Sequence, residues 1–354
     1  MQTINRKILF ATGCVIILAL FLGGLYIRQP REYFSEEFLM DTLVSISTYG
    51  ADTDLLQQAT REAFSAMRQI AEKTDRYARH KDPLYTINEI DRINDSAAIA
   101  PVKVDADVFA MIKSARDYYD LTNGAFDITI APLIDIWGFG TEEPRLPSPE
   151  ALTKTLSLVD ASSILLDEAE QTVYFLKPGM ALDLGAVAKG YAVEKAAQIL
   201  SAHGIKKALI NAGGNIRVLG ERTANDPWRV GIQDPRDPSG ILGILNLNAE
   251  AATTSGDYNR TFSIDGQTYH HILSKKDGYP ASGTISVTVV TKDAFSGDLL
   301  STALFLLEPE AARKLAESMP DTEALIVTSA KKILMTSGLQ QKFESTGTEG
   351  YSYD

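Results

Sequence analysis

The stretch TTSGDYNRTFSIDGQTYHHILSKKDGYP, residues 253–280, decides the reading of this chain. It opens as a strand and breaks at Ser255, Gly256 and Asp257. Two alternating segments then flank Asp265 and Gly266, a two-residue signal of the kind that closes a β-hairpin. The second segment ends in His270 and His271, two of only four histidines in the chain. Successive side chains of a strand point to opposite faces. At most one of the pair can therefore face a given cleft, and the other packs or meets solvent.

Beyond this stretch, the β-branched run over 284–291 predicts a strand buried on both faces. Ser296, Gly297 and Asp298 open an apolar helix running to Leu307. A helix over 309–318 and a hairpin over 324–327 and 333–337 follow. On the N-terminal side, Trp228, Val230 and Ile232 alternate as a strand. Another strand, over 207–211, leads into Ala212, Gly213, Gly214 and Asn215, where glycine lets the backbone approach closely. MALDLGAVAKG, residues 180–190, predicts a strand, a glycine turn and a helix with Ala188, Ala192, Ala196, Ile199 and Leu200 on its stripe. Such a junction aims backbone N–H groups outward, which suits phosphate. GAFDITIAPLIDIWGFG, residues 124–140, reads as a buried strand followed by an aromatic loop, with Trp137 and Phe139 in the core. Helices are expected over 52–73 and from a cap at Asp105 to a stop at Asn123 and Gly124. A strand is expected over 40–49. Strands and helices interleave without regular alternation. That pattern gives an α+β fold, mixed sheets with helices, as two intertwined lobes sharing a cleft.

The composition narrows the class. There are 34 Lys and Arg against 46 Asp and Glu, an acidic balance that argues against a nucleic-acid partner. A single cysteine, Cys14, excludes an internal disulfide framework and a multi-cysteine metal site. Residues 8–27 are uncharged, mostly apolar and preceded by Arg6 and Lys7, long enough as a helix to span a bilayer core of about 30 Å. The run ends Gly-Gly-Leu-Tyr-Ile-Arg, a poor cleavage site, so an uncleaved transmembrane anchor is expected. Lipidation at Cys14 is the other reading of Ala11-Thr12-Gly13-Cys14. The chain then divides into an anchor over 1–28, a polar linker over 29–37, one folded domain over 38–345 and a tail over 346–354.

Five separated motifs resemble the ApbE family of flavin transferases, in family order, across about residues 38–340. They are Met40-Asp41-Thr42, FDITIAPL from Phe126, DLGAVAKGYA from Asp183, NAGGN from Asn211, and the opening stretch together with SGDLLST from Ser296 to Thr302. The resemblance implies transfer of FMN from FAD to a Thr or Ser hydroxyl of an acceptor protein, with release of AMP and dependence on Mg²⁺. It implies a metal held by the carbonyl of Ala186 and the side chains of Asp298 and Thr302. The last two, four residues apart, share a helix face, and hard oxygen ligands suit Mg²⁺. A helix N-terminal cap is the competing explanation of Asp298. The resemblance also implies flavin and nucleotide contacts at Met40, Tyr77, Ala125, Phe126, Asp127, Asp183, Lys189 and Ile272, several through backbone atoms, and His271 as the base. The acceptor would be a flavin-bearing subunit of a membrane electron-transfer complex or a related FMN-binding protein. The site would then sit on the extracytoplasmic side of the cell membrane. A hydrolase that splits FAD to FMN and AMP, or a membrane-tethered flavin-binding protein without turnover, are the alternatives. The chain departs from the family pattern at Ser274-Lys275-Lys276-Asp277-Gly278, where Asp-Pro-x-Thr-Gly is usual, and at Asn215 and Ser301.

Overall fold

The computed structural model describes residues 31–77, 85–223, 226–347 and 349–353. The expected anchor over 8–27 lies outside them. Among the described residues no helix is long and apolar enough to cross a membrane.

In chain order the strands are β1 (Arg31–Leu39), β2 (Thr42–Gly50), β3 (Val102–Lys103), β4 (Ile164–Asp167), β5 (Thr172–Phe175), β6 (Ala208–Ala212), β7 (Asn215–Leu219), β8 (Trp228–Asp234), β9 (Asp237–Leu247), β10 (Ala251–Gly256), β11 (Thr261–Ile264), β12 (Gln267–His270), β13 (Thr284–Thr291), β14 (Glu323–Thr328), β15 (Lys332–Met335), β16 (Phe343–Ser345) and β17 (Ser352–Tyr353). The helices are α1 (Thr53–Thr74), α2 (Glu89–Ser96), α3 (Ala106–Leu121), α4 (Ala131–Trp137), α5 (Pro149–Leu156), α6 (Ala188–Ala202), α7 (Ala294–Phe305) and α8 (Pro309–Ser318). The class is mixed α+β with several sheets. One nine-stranded sheet in the order β1-β2-β6-β7-β10-β13-β14-β15-β17 runs through the molecule, antiparallel except for the pairing of β15 with β17.

Every residue of β13 is buried, as its apolar run requires of a central strand. The Asp265–Gly266 hairpin forms as expected, with both residues at positive φ (51° and 80°) joining β11 to β12. Asp105 caps α3 through the Asp107 N–H, and α8 keeps its expected bounds. On the same face of the sheet as α8, α1 and α6 bury Phe64, Met67, Ala192 and Ala196 in the largest apolar cluster.

Four expectations change. Residues 31–37 are not a linker. They form most of β1, which pairs with β2 from Arg31↔Gly50 to Leu39↔Thr42. Their polarity belongs to an edge strand whose outer face meets solvent. The C-terminal tail is likewise structured: β17 extends the main sheet, and the Tyr351 hydroxyl donates to Asp234 Oδ1 at 2.5 Å. Residues 128–137 are helical, a 3-10 turn followed by α4, with Pro132 in the first turn where its missing N–H costs nothing. Trp137 and Phe139 are nevertheless core, at 0% and 5% exposure. Residues 180–184 make no regular strand. The Asn94 side chain brackets Leu182, accepting from its N–H at 2.7 Å and donating to its carbonyl at 3.1 Å, while Asp183 N–H reaches the Ile128 carbonyl.

Candidate active site

One cleft of about 650 Å³ gathers every site residue named from the sequence: Met40, Tyr77, Ala125, Phe126, Asp127, Asp183, Ala186, Lys189, His271, Ile272, Asp298 and Thr302. They arrive from six places in the chain. What brings them together is the packing of α6 on α7 and the way β10 feeds the hairpin.

The helix pair sets the acidic end. Asp298 is 4% exposed, and its Oδ2 accepts the Gly190 N–H at 2.7 Å. Asp298 does not cap its own helix, because Asp293 does so through the Ser296 N–H. It caps the neighbouring α6, whose own N-cap residue, Val187, offers no side-chain acceptor. A carboxylate at a helix N-terminus is favoured by the unpaired N–H groups and the dipole there. The expectation that this junction offers its N–H groups to phosphate is thus corrected for Gly190. Only glycine fits at position 190: a Cβ there would lie 2.3 Å from Asp298 Cβ and 2.4 Å from the Ala294 carbonyl oxygen. The first bond to the cap runs from Tyr191 N–H to the Val187 carbonyl, so the Gly190 N–H, one residue earlier, has no partner within the helix. Asp298 supplies that partner. Burial pushes the Asp298 pKa up, while Lys189 and the Gly190 N–H pull against it.

Around Asp298 lie hydroxyls and one orphan. Ser255 Oγ lies 2.9 Å from Ser301 Oγ and 3.0 Å from Thr302 Oγ1. Asn215 Nδ2 is buried without a hydrogen-bond partner among the described residues. The amide lies near enough to lower the Asp298 pKa, yet outside hydrogen-bonding geometry. Lys189 is half-buried in the cleft and makes no ion pair among the described residues.

His271 occupies the other wall. Its Nδ1 lies 3.1 Å from the Asn259 carbonyl, which can only accept, so Nδ1 carries the proton and Nε2 keeps a free lone pair. Burial, then the nearby Arg260 charge, push its pKa down to about 3, so the ring is neutral across ordinary pH. His270 faces away, as strand alternation requires. Its Nε2 donates to the Ala281 carbonyl at 3.0 Å and its ring meets Phe305 edge-on.

Backbone strain sits at the mouth. Met40 and Asp41 both hold positive φ (55° and 59°) in the turn joining β1 to β2, where Asn-Gly would be the easy choice. Such strain persists where surrounding structure fixes it, commonly at functional sites. Asp41 reaches Arg260 at 3.4 Å across the opening. Deeper in, Arg76 is held between Asp135 at 2.5 Å and Asp183 at 3.6 Å, beside Tyr77.

One expected contact residue is otherwise engaged. The Asp127 carboxylate accepts from Thr129 N–H at 2.9 Å, Thr129 Oγ1 at 2.6 Å and Ala161 N–H at 3.1 Å, and pairs with Lys275 at 3.1 Å. What Asp127 offers the cleft is its backbone. Sequence reasoning did not find Asn259, Arg260, Ser255 or Gly190. Asn259 and Arg260 sit where a polar pair precedes a hairpin, a pattern too common to signal a site alone.

The fold has solved counterparts. It superposes on the ApbE protein of Thermotoga maritima with a TM-score of 0.79 at 32% identity, covering 88% of this chain and 99% of that one. The flavin transferase ApbE from Vibrio cholerae gives 0.74 at 25% identity, covering 89% and 99%. The class is therefore that of the flavin-transferase fold. The ApbE family model matches residues 40–326, and the chain belongs to that family. Among curated relatives, the FAD:protein FMN transferase of Klebsiella pneumoniae is 33% identical over 280 residues, 77% of this chain and 87% of the relative. That of Treponema pallidum is 30% identical over 334 residues, 88% of each. This chain is accordingly an enzyme of the transferase class.

Proposed function

We propose that this enzyme transfers FMN from FAD to a Thr or Ser hydroxyl of an acceptor protein, releasing AMP, with Mg²⁺ as cofactor. The observation that carries this reading is the neutral, oriented His271 facing the same cleft as a buried carboxylate and a lysine with no ion pair among the described residues.

In the proposed step the acceptor hydroxyl oxygen bonds to the flavin-side phosphorus of FAD. The pyrophosphate bond to AMP breaks, and AMP leaves with that bond's electron pair. The hydroxyl proton passes to His271 Nε2. The Asn259 carbonyl holds the tautomer that makes Nε2 the acceptor. Arg260 and Lys189 oppose a second proton on the ring while the cleft holds no anion, and phosphates of bound FAD would offset both charges. Lys189 lines the cleft as a cationic donor for a phosphate oxygen, and Asn215 lines it beside Asp298.

The donor set fits a hard cation. The Asp298 carboxylate, the Thr302 hydroxyl and the Ala186 carbonyl are all oxygen ligands of the kind Mg²⁺ takes. Among the described residues no three His, Cys, Asp or Glu side chains cluster to bind a metal unaided, so phosphate oxygens would complete the shell. When bound, Mg²⁺ would neutralise charge on the pyrophosphate and the leaving AMP.

We also infer that residues 8–27 tether the enzyme to the cell membrane with the cleft on the extracytoplasmic side, a reading supported by sequence alone. Incubation with FAD and Mg²⁺, with and without a flavin-accepting protein, tests the central proposal. Acceptor-dependent AMP release with flavin fixed to the acceptor is expected. Equal AMP release without acceptor would indicate a hydrolase, and none under either condition a binding protein.

A further inference from the structure

The loop that departs from the family pattern carries Lys275, and it joins the two walls of the cleft. We propose that Lys275 is a positioning residue that fixes the flavin-contacting segment over 125–128 relative to the strand end bearing His271. The inference rests on the FAD-binding reading of the cleft.

Lys275 follows His271, Ile272 and Leu273 after one residue, and those three line the cleft. Its Nζ lies 3.1 Å from Asp127 Oδ2 and 4.6 Å from the centre of the Tyr119 ring. The Asp127 side chain is 1% exposed and that of Lys275 26%. Asp127 accepts from neutral donors on its own segment and from Ala161, but Lys275 supplies the only cation paired with it among the described residues. A buried carboxylate without a compensating charge is costly, so the segment's geometry depends on that lysine. The segment includes Ala125 and Phe126, which face the cleft beside Asp127.

The rest of the loop is tied down independently. The Trp137 indole N–H donates to the Gly278 carbonyl at 2.8 Å, Ser274 N–H to the Tyr279 carbonyl at 2.8 Å, and Gly278 N–H to the Ser274 carbonyl at 2.8 Å. Gly278 holds φ at 78° in this turn. These bonds fix the loop to α4 and to itself. Among the described residues of the loop, only Lys275 reaches the Asp127 carboxylate. The Lys275 position therefore acts on the spacing between walls rather than on the fold of either.

The test uses the full chain with Lys275→Met, Lys275→Arg, Asp127→Asn and the double variant Lys275→Met/Asp127→Asn. FAD affinity is read by quenching of flavin fluorescence, and kcat and KM by AMP release. Lys275→Met is expected to weaken FAD binding and raise KM by about tenfold, with kcat lowered less. Lys275→Arg, which restores the charge, should recover most of the affinity. The double variant should bind FAD no worse than Lys275→Met, because the unpaired carboxylate is gone. Wild-type affinity in Lys275→Met would overturn the proposal, as would losses that multiply in the double variant or a lower active fraction at unchanged FAD affinity. If the wild-type chain itself fails to bind FAD, the reading of the cleft falls and this inference with it.

Discussion

Replacing Asp298 with Asn separates the cost of this carboxylate from its use. Asp298 is 4% exposed and holds the Gly190 N–H at 2.7 Å. Its folded-state pKa lies above the ordinary value because of burial. A raised carboxylate pKa means the ionised form is penalised in the folded state at neutral pH. That penalty is relieved as pH falls through the raised pKa. The Asp298→Asn amide would keep the volume and an oxygen for the Gly190 N–H. Exchanging a charged for a neutral acceptor weakens that hydrogen bond by about 1 kcal/mol, while losing the charge removes the desolvation cost that raises the pKa. Because the net folded-state pKa is raised, the ionised form is on balance a cost without cation, so the cation-free variant should melt no lower than the wild type. Added Mg²⁺ behaves differently. At a hundredfold excess over Kd, a ligand stabilises the folded state by about 2.7 kcal/mol. At about 2.1 cal/mol/K per residue over roughly 300 folded residues, that raises Tm by about 4 °C. The wild type should show this rise, larger with FAD present because linked sites raise each other's affinity by one factor. The variant should show none. Thermal unfolding of both proteins, with and without MgCl2 and FAD, measures all of it. A variant that keeps the Mg²⁺-dependent rise would refute the cation assignment. One that melts several degrees lower without cation would make Asp298 a structural cap of α6 alone.

His271→Ala should lower transfer by about 10²–10⁴-fold, the usual worth of a general base, while fluorescence titration still finds FAD bound. His270→Ala should cost Tm more than rate, because that ring packs on Phe305. With the free-enzyme His271 pKa at about 3, protonation that silences the base begins only near that value. A profile of kcat/KM should therefore show no acid limb near pH 6.5, and a limb there would contradict the burial of the ring. Gly190→Ala should cost about 1–3 kcal/mol by overpacking, seen as a lower urea midpoint together with lost Mg²⁺ dependence, since α6 and α7 must separate. A chain beginning at residue 29 retains β1 and should fold as a soluble, active protein. Beginning at residue 40 removes all of β1, and calorimetry should find it markedly less stable.

Much of this protein was legible along the chain, and the reason is local. The buried run of β13, the stripe of α6, the bounds of α8 and the Asp265–Gly266 hairpin are each set by periodicity or turn chemistry within a few residues. Most of the cleft residues named from the sequence were legible because they fall in short motifs, whereas Ser255, Asn259 and Arg260, which also line it, gave no such signal. The segment over 128–137 misled because a short apolar run suits a buried strand or a buried helix equally, and only its neighbours choose. Residues 31–37 misled because an edge strand is polar on its outer side, and its pairing with β2 is a tertiary event. What the chain alone could not give was the purpose of each side chain. Asp298 caps a helix that begins 110 residues earlier, with a partner 108 residues away. Asp127 turns its carboxylate to a lysine 148 residues on, leaving its backbone to the cleft. The tautomer of His271 is set by the Asn259 carbonyl across the hairpin. A hydrogen bond or an ion pair acts over about 3 Å. The partners that decide chemistry are therefore chosen by how the helices and sheet pack, and no local pattern records that choice.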